Sequence, residues 1–246
     1  ACREHGIRAL VYTSSPSVVA DGSNLRGVDE SRPYPDRYKA YYPQTKAIAE
    51  RAVLAANSDR LKTCALRPHL IWGPGDTNLV PTILSKAKTG RLVQVGEGQN
   101  LVDLSFIEDC VEAHLAAGES LLAHDARAAG KAYFISQGEP VKMWHWINEV
   151  LKRNGVHPIT KRVSFRFADT AALFLETMSR LSPIPFEPPL TRFLVSEMAT
   201  DHYFSIRAAQ RDFGYQPRFS IEEALDITFP RVLADSSQRR LFAVGL

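Results

Sequence analysis

An α/β fold built on a doubly wound parallel sheet is the architecture this sequence predicts, and three observations predict it. Short apolar runs at 7–12, 66–71 and 132–135 alternate with longer helical stretches at 41–56 and 109–122. The first two runs end in turn-forming punctuation, Thr13-Ser14-Ser15 and Gly73-Pro74-Gly75. The residues with chemistry to offer sit near the carboxyl ends of those runs, where an open α/β sheet keeps its ligand crevice.

The elements follow in order. Residues 1–6 read as the tail of a helix feeding the strand at 7–12. A helix over 41–56 stops at Asn57-Ser58, and residues 66–71 form a strand running into a Pro/Gly loop. A short helix at 81–88 closes at Gly90, and 92–95 is a strand. Residues 109–122 are amphipathic, with Asp109 expected to cap that helix, and 132–135 is strand-like. A further helix over 141–154 ends at Gly155, with Trp144 and Trp146 as packing residues. The segment 163–181 is apolar and Phe-rich, and the four prolines of 182–189 make a rigid loop. There is no internal repeat.

Tyr42 and Lys46 are spaced i, i+4, so on a helix they share one face. An ammonium beside a phenol favours the phenolate, which makes the phenol a stronger acid. A serine hydroxyl alongside, Ser15 in preference to Ser14, completes a metal-free site for moving a proton onto or off a carbinol oxygen.

Taken in sequence, these motifs resemble the extended short-chain dehydrogenase/reductase family. Ser15 ends one strand, Tyr42 and Lys46 lie on the next helix, and Arg67-Pro68 ends the next strand before a Gly-Pro-Gly loop. Phe106 to Asp109 and Ala208 to Pro217 match as well. Within that family the chain is similar to the 3β-hydroxysteroid dehydrogenase branch. It is most similar there to bacterial reductases of 2-alkyl-3-oxoalkanoates, through Tyr12 to Val18, Lys46 to Glu50, Tyr133 to Ser136 and Glu187 to Leu194. Sterol-4-carboxylate 3-dehydrogenases share much of this wording.

The resemblance implies a Rossmann-like NAD(P)-binding region over 1–135 and a smaller, mainly substrate-binding or lid region over 136–246. It implies that Tyr42 donates the proton during reduction, that Lys46 also holds the nicotinamide ribose, and that Ser15 orients the substrate oxygen. Pro68 and His69 would border the nicotinamide, and no metal is implied. The cofactor is NADP or NAD, the substrate is small and hydrophobic, and the Tyr42 helix is a candidate homodimer interface. The family's G-x-x-G-x-x-G turn does not occur here, so the reading expects the chain to lack roughly the first hundred residues, one mononucleotide-binding half.

Two other functions compete: a sugar-nucleotide epimerase or dehydratase, and a non-catalytic NAD(P)-binding module. The Phe-rich segment suits a diphosphate sugar poorly, and a binding module has no need of Ser15, Tyr42 and Lys46 together. Arg192 is a candidate partner for a substrate carboxylate, against a surface or interdomain salt bridge. The 163–181 segment is read as a lid over a long-chain substrate in preference to membrane contact, although Lys161, Arg162 and Arg166 stand at one end.

With 246 residues, 45% of them hydrophobic, the chain can bury a large core. A net charge of +3 without basic runs leaves no nucleic-acid footprint. Cys2, Cys64 and Cys110 are an odd, scattered set without metal spacing, which points to a reducing cytoplasm.

Overall fold

The computed structural model describes residues 1–230 other than Pro183, Pro185 and Glu187. Part of the proline-rich loop and residues 231–246 of the expected carboxyl-terminal region therefore lie outside the described residues.

A three-stranded parallel sheet positions the site. Its order is β1 (Ala9–Thr13), β3 (Lys62–Pro68), β8 (Ala132–Ile135). Ala9 to Thr13 pair in register with Lys62 to Leu66, and Ala65 to Pro68 with Ala132 to Ile135. Side chains alternate across β3, so the sheet has two faces to cover. Cys64 and Leu66 pack with Ala113, Ala117 and Leu121 of α3 (Ile107–Leu122). On the other face Thr63 donates its hydroxyl to Val53 O of α1 (Tyr41–Ala55), and Arg67 reaches Glu50 of the same helix. Helices on both faces of a parallel sheet make this a doubly wound Rossmann-type arrangement.

α7 (Arg207–Phe213) closes the β8 edge. Its Asp212 accepts from Tyr133 Oη at 2.8 Å and from Lys131 Nζ at 2.9 Å. Just beyond, Tyr215 donates to Ser136 O at 3.0 Å. The motif at 208–217 is thus the clamp on the last strand.

A second sheet has the order β2 (Leu25–Val28), β11 (His202–Phe204), β6 (Leu101–Val102), β9 (Val141–Lys142). β11 runs parallel to both neighbours, and β9 is antiparallel to β6. Asp201 ties it together, taking Arg26 Nε at 2.6 Å and Leu101 N at 2.7 Å. Two small parallel pairs complete the strands: β4 (Ile71–Trp72) with β7 (Ser105–Phe106), and β10 (Arg162–Val163) with β5 (Gln94–Val95). The largest core lies between α2 (Leu79–Lys88), α4 (Met143–Arg153) and α8 (Ile221–Thr228), where Trp72, Trp144 and Trp146 are buried. α5 (Phe165–Leu181) and α6 (Arg192–Ala199) form a separate layer against β5.

Some expectations are corrected. Residues 1–6 make a hydrogen-bonded turn, not a helix. The strand expected at 66–71 is split, because Leu70 takes a left-handed φ of 45° and separates β3 from β4. Asp109 does not cap α3. It is buried inside the first turn, and accepts from Arg218 N at 3.0 Å, from Phe219 N and from the Gln137 side-chain amide. At Gly73, φ is 150°, and a Cβ would stand 2.4 Å from Ile107 Cγ2, so glycine is required where β4 turns under α3.

Glu50 and Arg67 are the buried pair that fixes α1 on the sheet. Arg67 donates Nε to Oε2 at 3.0 Å and Nη2 to Oε1 at 2.6 Å, and Tyr34 Oη adds a bond to Oε1 at 2.6 Å. The guanidinium also lies 5.0 Å from the centre of the Phe134 ring. Burial pushes the Glu50 carboxyl up, but the Arg67 donors and charge outweigh it, and the net shift is downward. The pair's stabilisation is therefore present above the ordinary carboxylate range and lost as pH falls through Glu50's depressed pKa. Glu50→Ala, which strands a buried guanidinium, is expected to cost about 3–5 kcal/mol in urea denaturation at pH 7. Glu50→Leu combined with Arg67→Met should cost much less, since no charge is left unpaired.

Candidate active site

The strand end Tyr12 to Ser15 and the start of α1 meet, and this is where the predicted catalytic residues fall. α1 carries Tyr42, Lys46 and Glu50 at successive i, i+4 positions, a row that turns slowly about the helix axis. Glu50 anchors the row's inner end on β3. Lys46, one turn out, donates Nζ to Thr13 O at 2.9 Å and lies 5.3 Å from the centre of the Tyr12 ring. Tyr42, another turn out, is 52% exposed, so its phenol stands open to a ligand. The Tyr12 hydroxyl has its pKa raised by burial first, then by the charge of Glu50 and of Tyr42.

Ser15 sits one residue past Ser14, beyond the end of β1, as the N-cap of a 3-10 turn over Pro16–Val19. Its Oγ accepts from Ser17 N at 3.2 Å and lies 2.9 Å from Ser17 Oγ. Ser14 is buried, with its N–H on Leu66 O at 2.6 Å and its side chain beside Glu50. The half-buried Ser15 hydroxyl is thus the more accessible of the two.

Thr13 has a further partner that carries no sequence signal. His114 Nδ1 lies 2.7 Å from Cys110 O, which can only accept, so Nδ1 carries a proton. Nε2 of a neutral ring then accepts from Thr13 Oγ1 at 2.8 Å. The strand end is held from α3 as well as from α1.

Pro68 is the last residue of β3 and His69 follows it, and the structure brings His69 against His202. Its buried ring packs edge-on against His202 of β11, with centroids 4.7 Å apart, and its Nε2 lies 2.6 Å from His202 Nδ1. His202 Nε2 donates to Glu197 O at 2.7 Å, so Nδ1 of a neutral His202 ring accepts from His69 Nε2. The ligand atoms of His69, His202 and Glu197 all lie within 4.8 Å of one another, close enough to share an ion. In the observed arrangement, however, both nitrogens of His202 are already committed. Burial and the neighbouring His202 depress the His69 pKa well below its ordinary value. Arg192, the candidate carboxylate clamp, gives its Nε to Asp169 Oδ1 at 2.9 Å, and its backbone N–H to Glu176.

An apolar groove of about 1120 Å³ runs between α2 and the α5–α6 layer. Leu92, Val95, Val163, Phe167, Leu194 and Met198 line it. Among the described residues no helix is long and apolar enough to cross a membrane.

A helix carrying Tyr42 and Lys46 meets the end of a strand of a Rossmann-type sheet, and comparison with known proteins gives the class, a nicotinamide-dependent oxidoreductase. Residues 1–166 match the model of the 3-beta hydroxysteroid dehydrogenase/isomerase family, and the chain belongs to that family. It is 48% identical over 228 residues to a 2-alkyl-3-oxoalkanoate reductase of Stenotrophomonas maltophilia, covering 92% of this chain and 68% of the relative. A reductase of the same name from Shewanella oneidensis is 44% identical, with 92% and 60% covered. The sterol-4-alpha-carboxylate 3-dehydrogenase of Mus musculus is 36% identical, with 92% and 64% covered. The chain thus spans about two thirds of its relatives' length.

Solved structures share the fold. MoeE5 in complex with UDP-glucose and NAD superposes with a TM-score of 0.63 at 22% identity, covering 93% of this chain and 66% of that one. RMD from Pseudomonas aeruginosa complexed with NADPH gives 0.60 at 17% identity, with 92% and 67% covered.

The buried histidine pair makes a pH prediction. A native-state pKa below the unfolded value means that the unfolded chain binds more protons as pH falls below about 6.5, so stability drops there. Asp103, raised to about 6 chiefly by burial, acts in the opposite sense below that pH. The difference between wild type and His69→Gln isolates the histidine. The urea midpoint of wild type should fall more steeply from pH 7.5 to 5.5 than that of the variant.

Proposed function

We propose that the whole protein is an NAD(P)-dependent oxidoreductase that interconverts a 3-hydroxy and a 3-keto group on a hydrophobic acid of the 2-alkyl-3-oxoalkanoate type. The Lys46 bond to Thr13 O, with Ser15 two residues further along and exposed Tyr42 one turn earlier on the helix, is the observation that supports this reading. The donor set fits a nicotinamide ribose: Lys46 spends one of its three N–H donors on Thr13 O and keeps others for a ribose hydroxyl. When bound, that cofactor supplies the hydride.

The chain's own residues handle the proton and the geometry. Tyr42 delivers its phenolic proton to the ketone oxygen as negative charge develops there. Lys46, with its positive charge on the same helix face, stabilises the phenolate left behind. Ser15 donates a hydrogen bond to the same oxygen and fixes its position, which lowers the cost of alignment. Pro68 and His69 offer backbone carbonyls to the nicotinamide side, because Pro68 has no N–H, the His69 N–H is held by Ser105 Oγ at 3.1 Å and the His69 ring is committed to His202. The apolar groove suits an alkyl chain, because it is walled by aliphatic side chains and Phe167.

The test mixes the whole protein with NADPH or NADH and a 2-alkyl-3-keto acid, and follows nicotinamide absorbance. Tyr42→Phe should lower kcat by about 10²- to 10⁴-fold, and the cofactor that supports turnover settles the NAD or NADP question. Oxidation of a 4-carboxysterol without turnover of the keto acid would move the assignment to the sterol reaction of the Mus musculus relative. Turnover of neither would overturn the assignment.

A further inference from the structure

We propose that His114 is a positioning residue for Lys46, acting through Thr13 from the opposite face of the sheet. This rests on the role of Lys46 in holding the nicotinamide ribose and supporting the Tyr42 phenolate. Thr13 is the last residue of β1, the edge strand of its sheet. Arg8 O and Ser14 N bond to β3 at 2.9 and 2.6 Å, and alternate residues of a parallel strand face its partner. The Thr13 carbonyl therefore turns away from β3, and the ladder with β3 does not set its direction. That carbonyl accepts Lys46 Nζ at 2.9 Å, the one hydrogen bond of the ammonium among the described residues. Side chains alternate across the strand. Tyr12 turns its ring to α1, with its centre 5.3 Å from Lys46 Nζ, and Thr13 turns its hydroxyl to α3, 2.8 Å from His114 Nε2.

The histidine ring is fixed before it meets the strand. His114 lies one turn after Cys110 on α3, and its Nδ1 donates to Cys110 O at 2.7 Å. That bond sets the ring's orientation and leaves Nε2 of the neutral ring an acceptor for the Thr13 hydroxyl. Threonine is β-branched and stiff at χ1, so a held Oγ1 also holds the Cα and the carbonyl that follows it. The carbonyl in turn decides where the ammonium rests. Lysine carries its charge on a flexible four-carbon stem, and without a fixed acceptor that charge spreads over several positions. A chain of contacts thus crosses the sheet: Cys110 O, the His114 ring, the Thr13 hydroxyl and carbonyl, then Lys46. Val11 lies on the same face as Thr13 and packs with Ala113 and Ala117, which keeps α3 close to the strand end.

Variants of the whole protein, each checked for an unchanged thermal melt, test this. His114→Leu and Thr13→Val should each weaken NADH or NADPH binding by about tenfold, read as a Kd from nicotinamide fluorescence. Each should also lower kcat by about tenfold, with little change in the KM for the keto acid, because Lys46 touches the cofactor and supports Tyr42. His114→Gln, whose side-chain carbonyl can accept from the Thr13 hydroxyl, should recover most of the loss. The double variant His114→Leu, Thr13→Val should be no worse than either single one, since both remove the same bond. Should His114→Leu melt lower, Thr13→Val keeps size and shape and carries the comparison. The Kd needs no turnover, so a wild type inactive on the keto acid would sink the functional reading and leave this comparison standing. A folded Thr13→Val protein with the wild-type Kd would overturn the proposal. So would losses that multiply in the double variant, or a His114→Gln protein as impaired as His114→Leu.

Discussion

The Glu50–Arg67 pair is the constraint on which the rest of the site depends. A carboxylate and a guanidinium are costly to bury, and replacing both with apolar side chains is often no worse for stability. What this pair does supply is register. Two parallel N–H···O bonds and the Tyr34 hydroxyl define one position of α1 against β3. Since Glu50, Lys46 and Tyr42 follow one another at i, i+4 spacing, fixing the first aims the other two at the end of β1. The Lys46 bond to Thr13 O and the His114 bond to the Thr13 hydroxyl then hold the strand end from two helices.

The second sheet is joined to the first by a different kind of contact. His69, just past β3, meets His202 of β11, and the chain of donors ends on Glu197 O of α6. Both rings are buried, and burial disfavours a charge on His69, so the joint is stable where no proton is forced upon that ring. Asp109 makes a comparable joint, binding the segments at Gln137 and at Arg218–Phe219 to the start of α3. The dehydrogenase scaffold is thus bolted to the segments that follow it through buried polar groups, while α5 is held mainly by α6 and offers its other face to the outside.

Much of this was legible in the sequence wherever the relevant period is local. The strand–helix alternation, the Tyr42–Lys46 spacing and the place of Ser15 beyond a strand all follow from neighbouring residues, and the fold matches. Partnerships across long loops were not legible. Nothing in the local sequence marks Glu50 as the partner of Arg67, and Asp109 at a helix start reads as a cap until Arg218 is seen beside it. His69 looked like a residue at a ligand crevice because it follows a strand end. Its actual partner is 133 residues away and carries no local mark. Leu70 broke a strand that its apolar run supported, through a backbone conformation that no side-chain pattern records.

The buried pair is held to aim the row proposed to be catalytic, Tyr42 and Lys46, and single-turnover hydride transfer in Glu50→Gln addresses this directly. The variant is nearly isosteric and leaves Tyr42, Lys46 and Ser15 untouched. In the folded variant, with nicotinamide binding intact, the transfer rate should fall by about tenfold or more, as a small misplacement of a reacting group does. A folded Glu50→Gln protein that transfers hydride at the wild-type rate would contradict the account, and would mean that Tyr42 and Lys46 are aimed by something other than this pair.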